Sequence, residues 1–468
     1  MRMRSVHHTS RSALVVGAGV SGLTTALCLA LRGLRITIVA DQVSPGITSN
    51  VAGALWEWPP AVCGRHHDDV LLAPSKAWSL ASYQRFQELA EVPDRTGVFF
   101  RPANFYFRRP IEHDPAELTK MHELAHHVLG FVHSTEIIKN NGVNPDAAVV
   151  DAYRFLAPMV DTDRYLSWLH KQVALAGCTL VLGHLSGDLR SQEQQLRREF
   201  AADLIVNCTG LGAYELAGDK DLCPHRGAVI RIDNTGKHMP RITAAHCVAN
   251  DPSTDHQDMI FIVPRGDDRL ILGGLVEPGE WGTNVGLDYA PISDLLRRNV
   301  EFLPVLAGAT LDQAEPVRVG LRPFRRQSVR LEHEPGTRII HNYGHGGAGV
   351  SLSGGCAEHV VALATRLLDD PWPAQRAHPA YLTQGPTPFK SAPFMTRIPI
   401  TDRSDRPVAL LDPSDPPPVA STCPLADGMP GSVSASWQVH AGDRNCAKAA
   451  TTVPAASAGA AGVMTLSG

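Results

Sequence analysis

A glycine-rich turn between a strand pattern and a helix pattern constrains the fold of this chain more than any other feature. The stretch LVVGAGVSGL places a G-x-G-x-x-G pattern on Gly17, Gly19 and Gly22. The apolar run at residues 13–16 predicts a buried parallel strand, and the apolar spacing over residues 23–31 predicts a helix. The first glycine permits a tight turn, the second lets the backbone approach a pyrophosphate, and the third allows close packing of helix on strand. The pattern therefore predicts a dinucleotide site.

A second predicted strand supports this interpretation. The stretch RITIVAD at residues 35–41 ends in Asp41, about 20 residues beyond the glycines, where an acidic side chain can accept hydrogen bonds from ribose hydroxyls. The helix N-terminus would offer its amides and positive dipole to the phosphates. We predict that the dinucleotide contacts the turn and the strand end, at Gly17, Ala18, Gly19, Val20, Ser21, Gly22 and Asp41.

Composition narrows the class of protein. The 468 residues suffice for two domains, and 44% hydrophobic with 19% charged residues is typical of a soluble globular protein. A net charge of −4 gives no electrostatic reason to expect nucleic acid or an anionic membrane as a partner. The nine cysteines show no C-x-x-C spacing, which argues against a metal site and a disulfide framework. The basic N-terminal lead lacks an apolar segment, so we expect a cytoplasmic protein.

The pattern of elements predicts two interleaved domains. Strand-like runs at residues 178–182, 202–206 and 338–341 belong with the first strand, and a glycine-rich turn and a helix follow the last of them. We predict an α/β fold in which a Rossmann-like nucleotide-binding domain is interleaved with an α+β substrate domain on an antiparallel sheet. The predicted nucleotide-binding segments are residues 11–75, 151–225 and 321–370.

The second domain is predicted from residues 76–150 and 226–320. Residues 228–233, 259–265 and 270–274 have strand patterns, and Asp267 and Asp268 suit the turn of a hairpin. Residues 385–468 are rich in Pro, Ser, Ala, Thr and Gly, a composition that buries too little apolar surface to offset chain entropy. We predict that this C-terminal tail is disordered.

Three separated motifs together resemble the D-amino-acid oxidase family, which includes D-aspartate oxidases and is grouped with the glycine and sarcosine oxidase flavoproteins. They are VVGAGVSGLTTAL with TSNVAGALWEWPP, then IVNCTGLGAYEL with PHRGAVIRID, then GLRPFRRQSVRLE with IIHNYGHGGAGVSLSGGCA. Their order and spacing match the family over about residues 12–370. The resemblance implies noncovalent FAD as cofactor.

The resemblance also assigns cofactor residues beyond the first turn. The segment after the second strand would wrap the pyrophosphate and flavin, the turn after the strand at 202–206 would approach the cofactor, and the late glycine-rich turn with its helix would stabilise negative charge on the flavin. The residues concerned are Thr48, Ser49, Asn50, Gly53, Ala54, Leu55, Thr209, Gly210, Gly346, Gly347, Ala348, Gly349, Val350 and Ser351. Trp56 and Trp58 are predicted to form a rigid wall beside this segment.

For the substrate, the resemblance assigns Arg322 in GLRPFR to the α-carboxylate, which a planar guanidinium can hold bidentately. Phe261 and Gly347 are the other predicted substrate contacts. Where relatives carry tyrosines, this chain has Phe261 and Ala348. Loss of the first hydroxyl should weaken carboxylate binding by about 0.5–1.5 kcal/mol, which predicts a larger pocket or an unusual substrate. Arg318, Arg325 and Arg326 crowd the same segment.

Other charged residues near the predicted site are less informative. His246, Arg241 and Arg265 could recognise an acidic side chain, but we expect surface positions for them. His345, in the flavin turn, is expected to be structural. We expect neither a metal ion nor a catalytic acid or base.

The implied reaction oxidises an amino acid to an imine by hydride transfer to FAD. O2 takes up the electrons and gives H2O2, and water hydrolyses the imine to a 2-oxo acid and ammonia. A D-amino acid is the expected substrate. Two alternatives stay open. The first is another amine oxidase, either of the glycine or sarcosine type or one that tailors a modified amino acid. The second is a flavin-binding protein without turnover. A homodimer is also left open.

Overall fold

The computed structural model describes residues 11–58, 69–249 and 257–369, so the predicted C-terminal tail lies outside the described residues. Fifteen strands occur in this part of the chain: β1 (Ser12–Val16), β2 (Arg35–Ala40), β3 (Val98–Phe107), β4 (Leu129–His133), β5 (Asp151–Val160), β6 (Thr179–Leu182), β7 (Leu204–Asn207), β8 (Leu222–Asp233), β9 (Ala245–Val248), β10 (Ile260–Arg265), β11 (Arg269–Gly273), β12 (Glu277–Pro278), β13 (Val317–Arg325), β14 (Arg330–His333) and β15 (Ile339–Tyr343).

The same residues contain eleven α-helices, of which α1 and α11 pack on strands of the first sheet. The helices are α1 (Val20–Leu31), α2 (Thr48–Val51), α3 (Asp69–Leu89), α4 (Pro93–Thr96), α5 (Pro115–Ala125), α6 (Glu136–Asn140), α7 (Thr162–Leu175), α8 (Leu189–Glu199), α9 (Ala213–Leu216), α10 (Ala290–Phe302) and α11 (Gly349–Asp369). Helix α1 packs on α11 and α7, and α11 packs on α3. None of the described helices is long and apolar enough to cross a bilayer.

The first sheet has six strands in the order β14-β15-β7-β1-β2-β6. The five strands from β15 to β6 are parallel, and β14 pairs antiparallel with β15. Strand β1 is buried along its whole length and has β2 on one side and β7 on the other. This arrangement confirms the predicted Rossmann-like sheet, including the strands expected at residues 178–182, 202–206 and 338–341.

The second sheet has nine strands in the order β12-β8-β11-β10-β9-β3-β5-β4, with β13 on β8. Its pairs are antiparallel except for β3 with β9. Strands β10 and β11 form the predicted hairpin, and the turn between them contains Asp267 and Asp268. Strands β5 and β13 lie in this sheet, whereas the predicted boundaries place residues 151–160 and 321–325 with the nucleotide-binding segments.

Helix α10 covers the second sheet through an amphipathic pattern. Ile292, Leu295, Asn299 and Phe302 recur at spacings of three or four residues and are buried. Asn299 donates to Gly273 O and accepts from the amide of Phe261 at 3.2 Å. The helix therefore fixes the start of β10 and the end of β11, which carry residues of the site described next.

Candidate active site

Four of the predicted cofactor segments begin where a parallel strand ends. Gly17 follows β1, Asp41 follows β2, Thr209 follows β7 and Gly344 follows β15. Because the carboxyl ends of parallel strands meet at one edge of the sheet, these segments lie along the same crevice, where open α/β sheets bind their ligands. The sheet order thus brings together residues that are up to about 330 positions apart in the sequence.

The first turn is packed too closely for any residue but glycine. Gly17 has a φ of +107°, and a Cβ there would lie 2.5 Å from Cys208 O. A Cβ on Gly22 would lie 1.9 Å from Gly17 O. Gly17 N also donates to Val39 O at 2.7 Å, which ties the turn to the end of β2. These contacts hold the backbone of the turn between the ends of β2 and β7.

The N-terminus of α1 is open to an anion. Gly19 occupies the N-cap position and has no side chain to satisfy the first amides of the helix. The amide of Val20 donates to Ser49 Oγ at 3.1 Å, which brings the predicted pyrophosphate segment to the helix end. Asp41 is exposed at the end of β2, 3.8 Å from His184. The arrangement fits the phosphates and ribose of a dinucleotide.

The segment at residues 48–55 is held by buried polar contacts. Asn50 Nδ2 donates to Asp163 Oδ1 at 2.7 Å and to Ser44 Oγ at 3.0 Å, so both hydrogens of this amide nitrogen are bonded within the protein. Asn50 Oδ1 is buried and accepts no hydrogen bond from the residues that the structure describes. Ala54 adopts a φ of +54°, and Val160 N donates to Ala54 O at 2.9 Å. These contacts fix the path of the segment.

The late glycine-rich turn joins both sheets. Gly346 has a φ of +56°, and its amide donates to Pro323 O at 2.9 Å, next to Arg322 in β13. Ser351 Oγ, in the first turn of α11, donates to Leu55 O at 3.4 Å. Gly347 is exposed at the tip of the turn. The N-terminus of α11 therefore lies beside the 48–55 segment and the strand that carries the predicted substrate arginine.

His345 in this turn is not suited to act as a base. Its ring is buried, and Nε2 lies 3.1 Å from Asn342 Oδ1. Burial lowers the pKa of His345 to about 4, so the ring is neutral at physiological pH. With Nε2 donating to the amide oxygen, the histidine holds the turn in place.

Arg322 lies flat on a glycine of the neighbouring strand. A Cβ on Gly227 in β8 would lie 2.1 Å from Arg322 Nη1 and 2.6 Å from Nη2. Nη1 donates to Leu275 O at 3.1 Å. Only a glycine at position 227 leaves room for the guanidinium to cross β8. The carbonyl of Leu275 binds one nitrogen of the guanidinium, so its other N–H groups can face a ligand.

The charge of Arg322 has no partner in the described part of the chain, where no carboxylate lies within ion-pair distance of its guanidinium. Burial lowers the pKa of Arg322 to about 10, which leaves it cationic at neutral pH. A partly desolvated cation without an acidic partner is costly unless an anion binds. By contrast, Arg318 pairs with Asp163, and Arg325 pairs with Asp219.

Phe261 lies on the same face of the sheet. A Cβ on Gly273, its register partner in β11, would lie 2.8 Å from the ring, and a Cβ on Gly53 would lie 2.6 Å from Cε1. The ring is therefore clamped between β11 and the 48–55 segment. On this face a Cβ on Gly320 would lie 3.0 Å from Val51 Cβ. The cofactor segment thus lies directly against the face that carries Arg322.

We expect Gly227→Ala to impair substrate binding without removing the cofactor. The new methyl group would displace the Arg322 guanidinium, so the KM for the amino acid should rise by about tenfold or more, equivalent to about 1.4 kcal/mol. Steady-state kinetics and the flavin content of the purified protein measure the two effects. Gly282→Ala is the matched control, because its methyl group would meet Arg226 Nη1 at an ordinary 3.6 Å. Equal KM values in the two variants would contradict this placement of Arg322.

The surface positions expected for His246 and Arg265 are wrong. Arg265 is 3% exposed, and its guanidinium donates to Thr162 Oγ1 at 2.8 Å and to the carbonyl of Ala52. His246 is also buried, and its Nδ1 lies 2.9 Å from the hydroxyl of Tyr106. Strand alternation points both side chains inward. The sequence prediction placed them at the surface because they are polar or charged. Only Arg241 lies at the surface, paired with Asp267.

We expect Arg265→Met to lower the free energy of unfolding by about 2–4 kcal/mol, since it removes a buried donor from several carbonyl groups. Those groups include Gly53 O and Asn50 O, at 3.3 and 3.4 Å. Urea denaturation of the holoprotein measures the change. Arg241→Met, which breaks only an exposed ion pair, should cost less than about 1 kcal/mol. Similar losses in both variants would contradict the role of Arg265 as a strut.

Trp56 lies in the core at the end of the 48–55 segment. It is 1% exposed, its Nε1 donates to Ser79 O at 2.9 Å, and its ring packs on Tyr83 and Phe155. The tryptophan anchors the end of the 48–55 segment in the core. Thr209 also faces the protein, since its amide and hydroxyl both donate to Asn207 Oδ1.

Some contributors to the site were missed in the sequence. Gly227 and Gly273 form the floor under Arg322 and Phe261, and Leu275 supplies the carbonyl that orients the arginine. A signal existed for the glycines, because a glycine inside a strand pattern often marks a close approach. Nothing in the sequence signals the carbonyl, because any residue could supply it.

Comparison with known proteins decides the family. A family model described as FAD dependent oxidoreductase matches residues 12–363. The chain belongs to this family of FAD-dependent oxidoreductases. A D-amino-acid oxidase of Rubrobacter xylanophilus is 35% identical over 355 residues, which cover 75% of this chain and 95% of that protein. A D-amino-acid oxidase of Streptomyces coelicolor is 34% identical over 358 residues, which cover 75% of this chain and 96% of that protein.

Solved structures share the fold of this flavoprotein. The glycine oxidase of Geobacillus kaustophilus superposes with a TM-score of 0.61 at 20% identity, covering 76% of this chain and 95% of that one. The residues at the sheet edge fit FAD, because the glycine turn and the N-terminus of α1, which has no side-chain cap, can offer backbone amides to phosphates. Among residues 11–58, 69–249 and 257–369, no cluster of His, Cys, Asp and Glu could hold a metal ion.

Proposed function

We propose that this flavoprotein oxidises a D-amino acid to the corresponding 2-oxo acid, with release of ammonia and H2O2. The observation that carries the proposal is Arg322, a half-buried cation without a carboxylate partner in the described segments, on the sheet face against which the 48–55 segment lies. A guanidinium so placed suits an α-carboxylate. The similarity to two D-amino-acid oxidases supports the choice of substrate class.

In this proposal FAD, when bound, would supply the acceptor for the electrons of the Cα–H bond, and the chain itself positions the substrate. Arg322 holds the carboxylate, and Phe261 offers an apolar edge where the substrate meets the 48–55 segment. No proton needs to move through a side chain if the amine is bound deprotonated. The neutral, hydrogen-bonded His345 agrees with such a mechanism. The contribution of the chain is orientation and exclusion of water.

Predicted cofactor contacts follow from the same geometry. We propose that Gly17 to Gly22 and Ser49 surround the pyrophosphate, and that the exposed carboxylate of Asp41 receives the ribose. Gly346 to Ser351 would then lie by the flavin, with the α11 dipole favouring negative charge there. A cytoplasmic location stays a prediction. A homodimer stays a prediction.

Anaerobic reduction of the bound flavin tests the proposed function. The purified holoprotein is mixed with D- and L-forms of alanine, leucine and glutamate, and with glycine and sarcosine, and loss of flavin absorbance is followed. We expect rapid bleaching by D-amino acids alone. Bleaching by glycine or sarcosine instead would favour an oxidase of the glycine type. A yellow protein that no amine bleaches would favour a binding protein without turnover.

A second candidate has one observation in its favour. Phe261 and Ala348 both lack a hydroxyl, so neither side chain can donate a hydrogen bond to the substrate. This leaves the substrate carboxylate with fewer donors and the site with more room. A modified amino acid with a larger substituent would fit such a site, and its oxidation is the alternative reaction.

A further inference from the structure

One histidine beside Arg322 has no role in the function proposed above. His225 in β8 is the register partner of Arg322 in β13, so the two side chains emerge on the same face of the sheet. This face also carries Gly227, under the guanidinium, and is the one against which Val51 lies. His225 therefore belongs to the wall that carries the carboxylate-binding arginine.

The orientation of the His225 ring is fixed by stacking. Its ring lies 4.0 Å from that of Phe324, centroid to centroid, with an interplanar angle of 11°. Phe324 lies beyond Arg322 along β13, whereas the guanidinium points the other way, onto Gly227. The His225 ring and the Arg322 guanidinium are therefore separated by about two residues of strand, or about 6.5 Å.

The imidazole is available to a ligand. Neither ring nitrogen has a hydrogen-bond partner among the residues that the structure describes, and the side chain is half-buried. Burial and the charge of Arg322 lower the pKa of His225 to about 4. At neutral pH the ring therefore carries one N–H donor and one free acceptor nitrogen. A half-buried donor without a partner is a cost that a bound acceptor group would remove.

We propose that His225 is a specificity-determining residue that donates a hydrogen bond to an acidic side chain of the substrate, while Arg322 holds the α-carboxylate. This inference rests on the function proposed above. The offset along β8 suits two acceptor groups separated by several bonds, as in D-glutamate. Binding of the first carboxylate neutralises Arg322, so the second can approach His225 through a charge-assisted hydrogen bond.

Two variants separate the ring stack from the hydrogen bond. His225→Phe preserves a planar ring on Phe324 and has no donor, whereas His225→Gln restores a donor without the ring. The KM and kcat for D-glutamate, D-glutamine and D-leucine are measured on each holoprotein, with flavin content as the check on folding. Loss of a hydrogen bond to a charged group predicts a KM for D-glutamate about 10- to 100-fold higher in His225→Phe. We expect the KM for D-leucine to stay within about twofold, kcat to be unchanged, and His225→Gln to recover part of the loss.

The outcomes separate the two proposals. Equal changes in the KM of D-glutamate and D-leucine would overturn the role of His225, as would no change in either. Turnover of D-leucine but not of D-glutamate by the unaltered protein would also overturn it and would leave the proposed oxidase function intact. If no D-amino acid is oxidised by the unaltered protein, the proposed function itself fails.

Discussion

Replacing Arg322 by alanine is expected to lower kcat/KM for a D-amino acid by about 10²- to 10³-fold, which corresponds to about 3–4 kcal/mol. The substrate carboxylate would lose its one cationic partner in a partly desolvated site, where a charge-assisted pair is stronger than in water. The substrate Cα–H bond would also be held less well in its reactive orientation, so kcat should fall while KM rises. Stopped-flow measurement of anaerobic flavin reduction resolves the two contributions.

Two further variants sharpen this test. Arg322→Lys keeps the charge but loses the planar fork, so we expect an intermediate loss. Arg297→Ala removes an arginine of α10 that is 60% exposed in its ion pairs, and should leave kcat/KM unchanged. If Arg322→Ala oxidised D-amino acids as fast as Arg297→Ala, the substrate carboxylate would have to bind elsewhere.

The cofactor edge was predictable because its signals are local. The glycine turn at residues 17–22 and the strand ending in Asp41 lie within one βαβ unit, whose spacing is fixed by its own geometry. The turns at Gly210 and Gly346 were found from the family resemblance, and the parallel sheet then explains why they lie at the same edge. The glycine turns predicted from the sequence and the order of the parallel strands therefore place the cofactor residues at the same edge of the sheet.

The substrate face was less predictable because it depends on strand register. Arg322 meets Gly227 and His225 only because β13 pairs antiparallel with β8 across about 95 residues of sequence. A shift of one residue would turn Arg322 to the other face. Burial of charged residues was the other gap. An arginine is ordinarily expected at the surface, whereas Arg265 is buried because Thr162 and the 48–55 segment supply acceptors for its donors.

Replacing Gly22 by alanine is expected to produce a protein that purifies without FAD. The added Cβ would lie 1.9 Å from Gly17 O and 2.8 Å from Gly17 C, both backbone atoms that no rotamer change can move. Helix α1 would have to shift away from the turn, which would displace the amides of its first turn from the phosphates. We expect FAD affinity to fall by at least about 100-fold, or about 3 kcal/mol.

The control for this prediction is a glycine in the same part of the chain. A Cβ on Gly46 would meet nothing within 4 Å, so Gly46→Ala should bind FAD like the unaltered protein. Both variants are stripped of flavin, checked for folding by circular dichroism, and titrated with FAD by fluorescence quenching. Should Gly22→Ala retain one flavin per chain, the close contact of α1 with the turn could not be what places the pyrophosphate. The contact of Gly22 with Gly17 belongs both to the packing of α1 and to the cofactor site. A Gly22→Ala apoprotein that folds but cannot bind FAD would show that the contact is needed for binding and not only for folding.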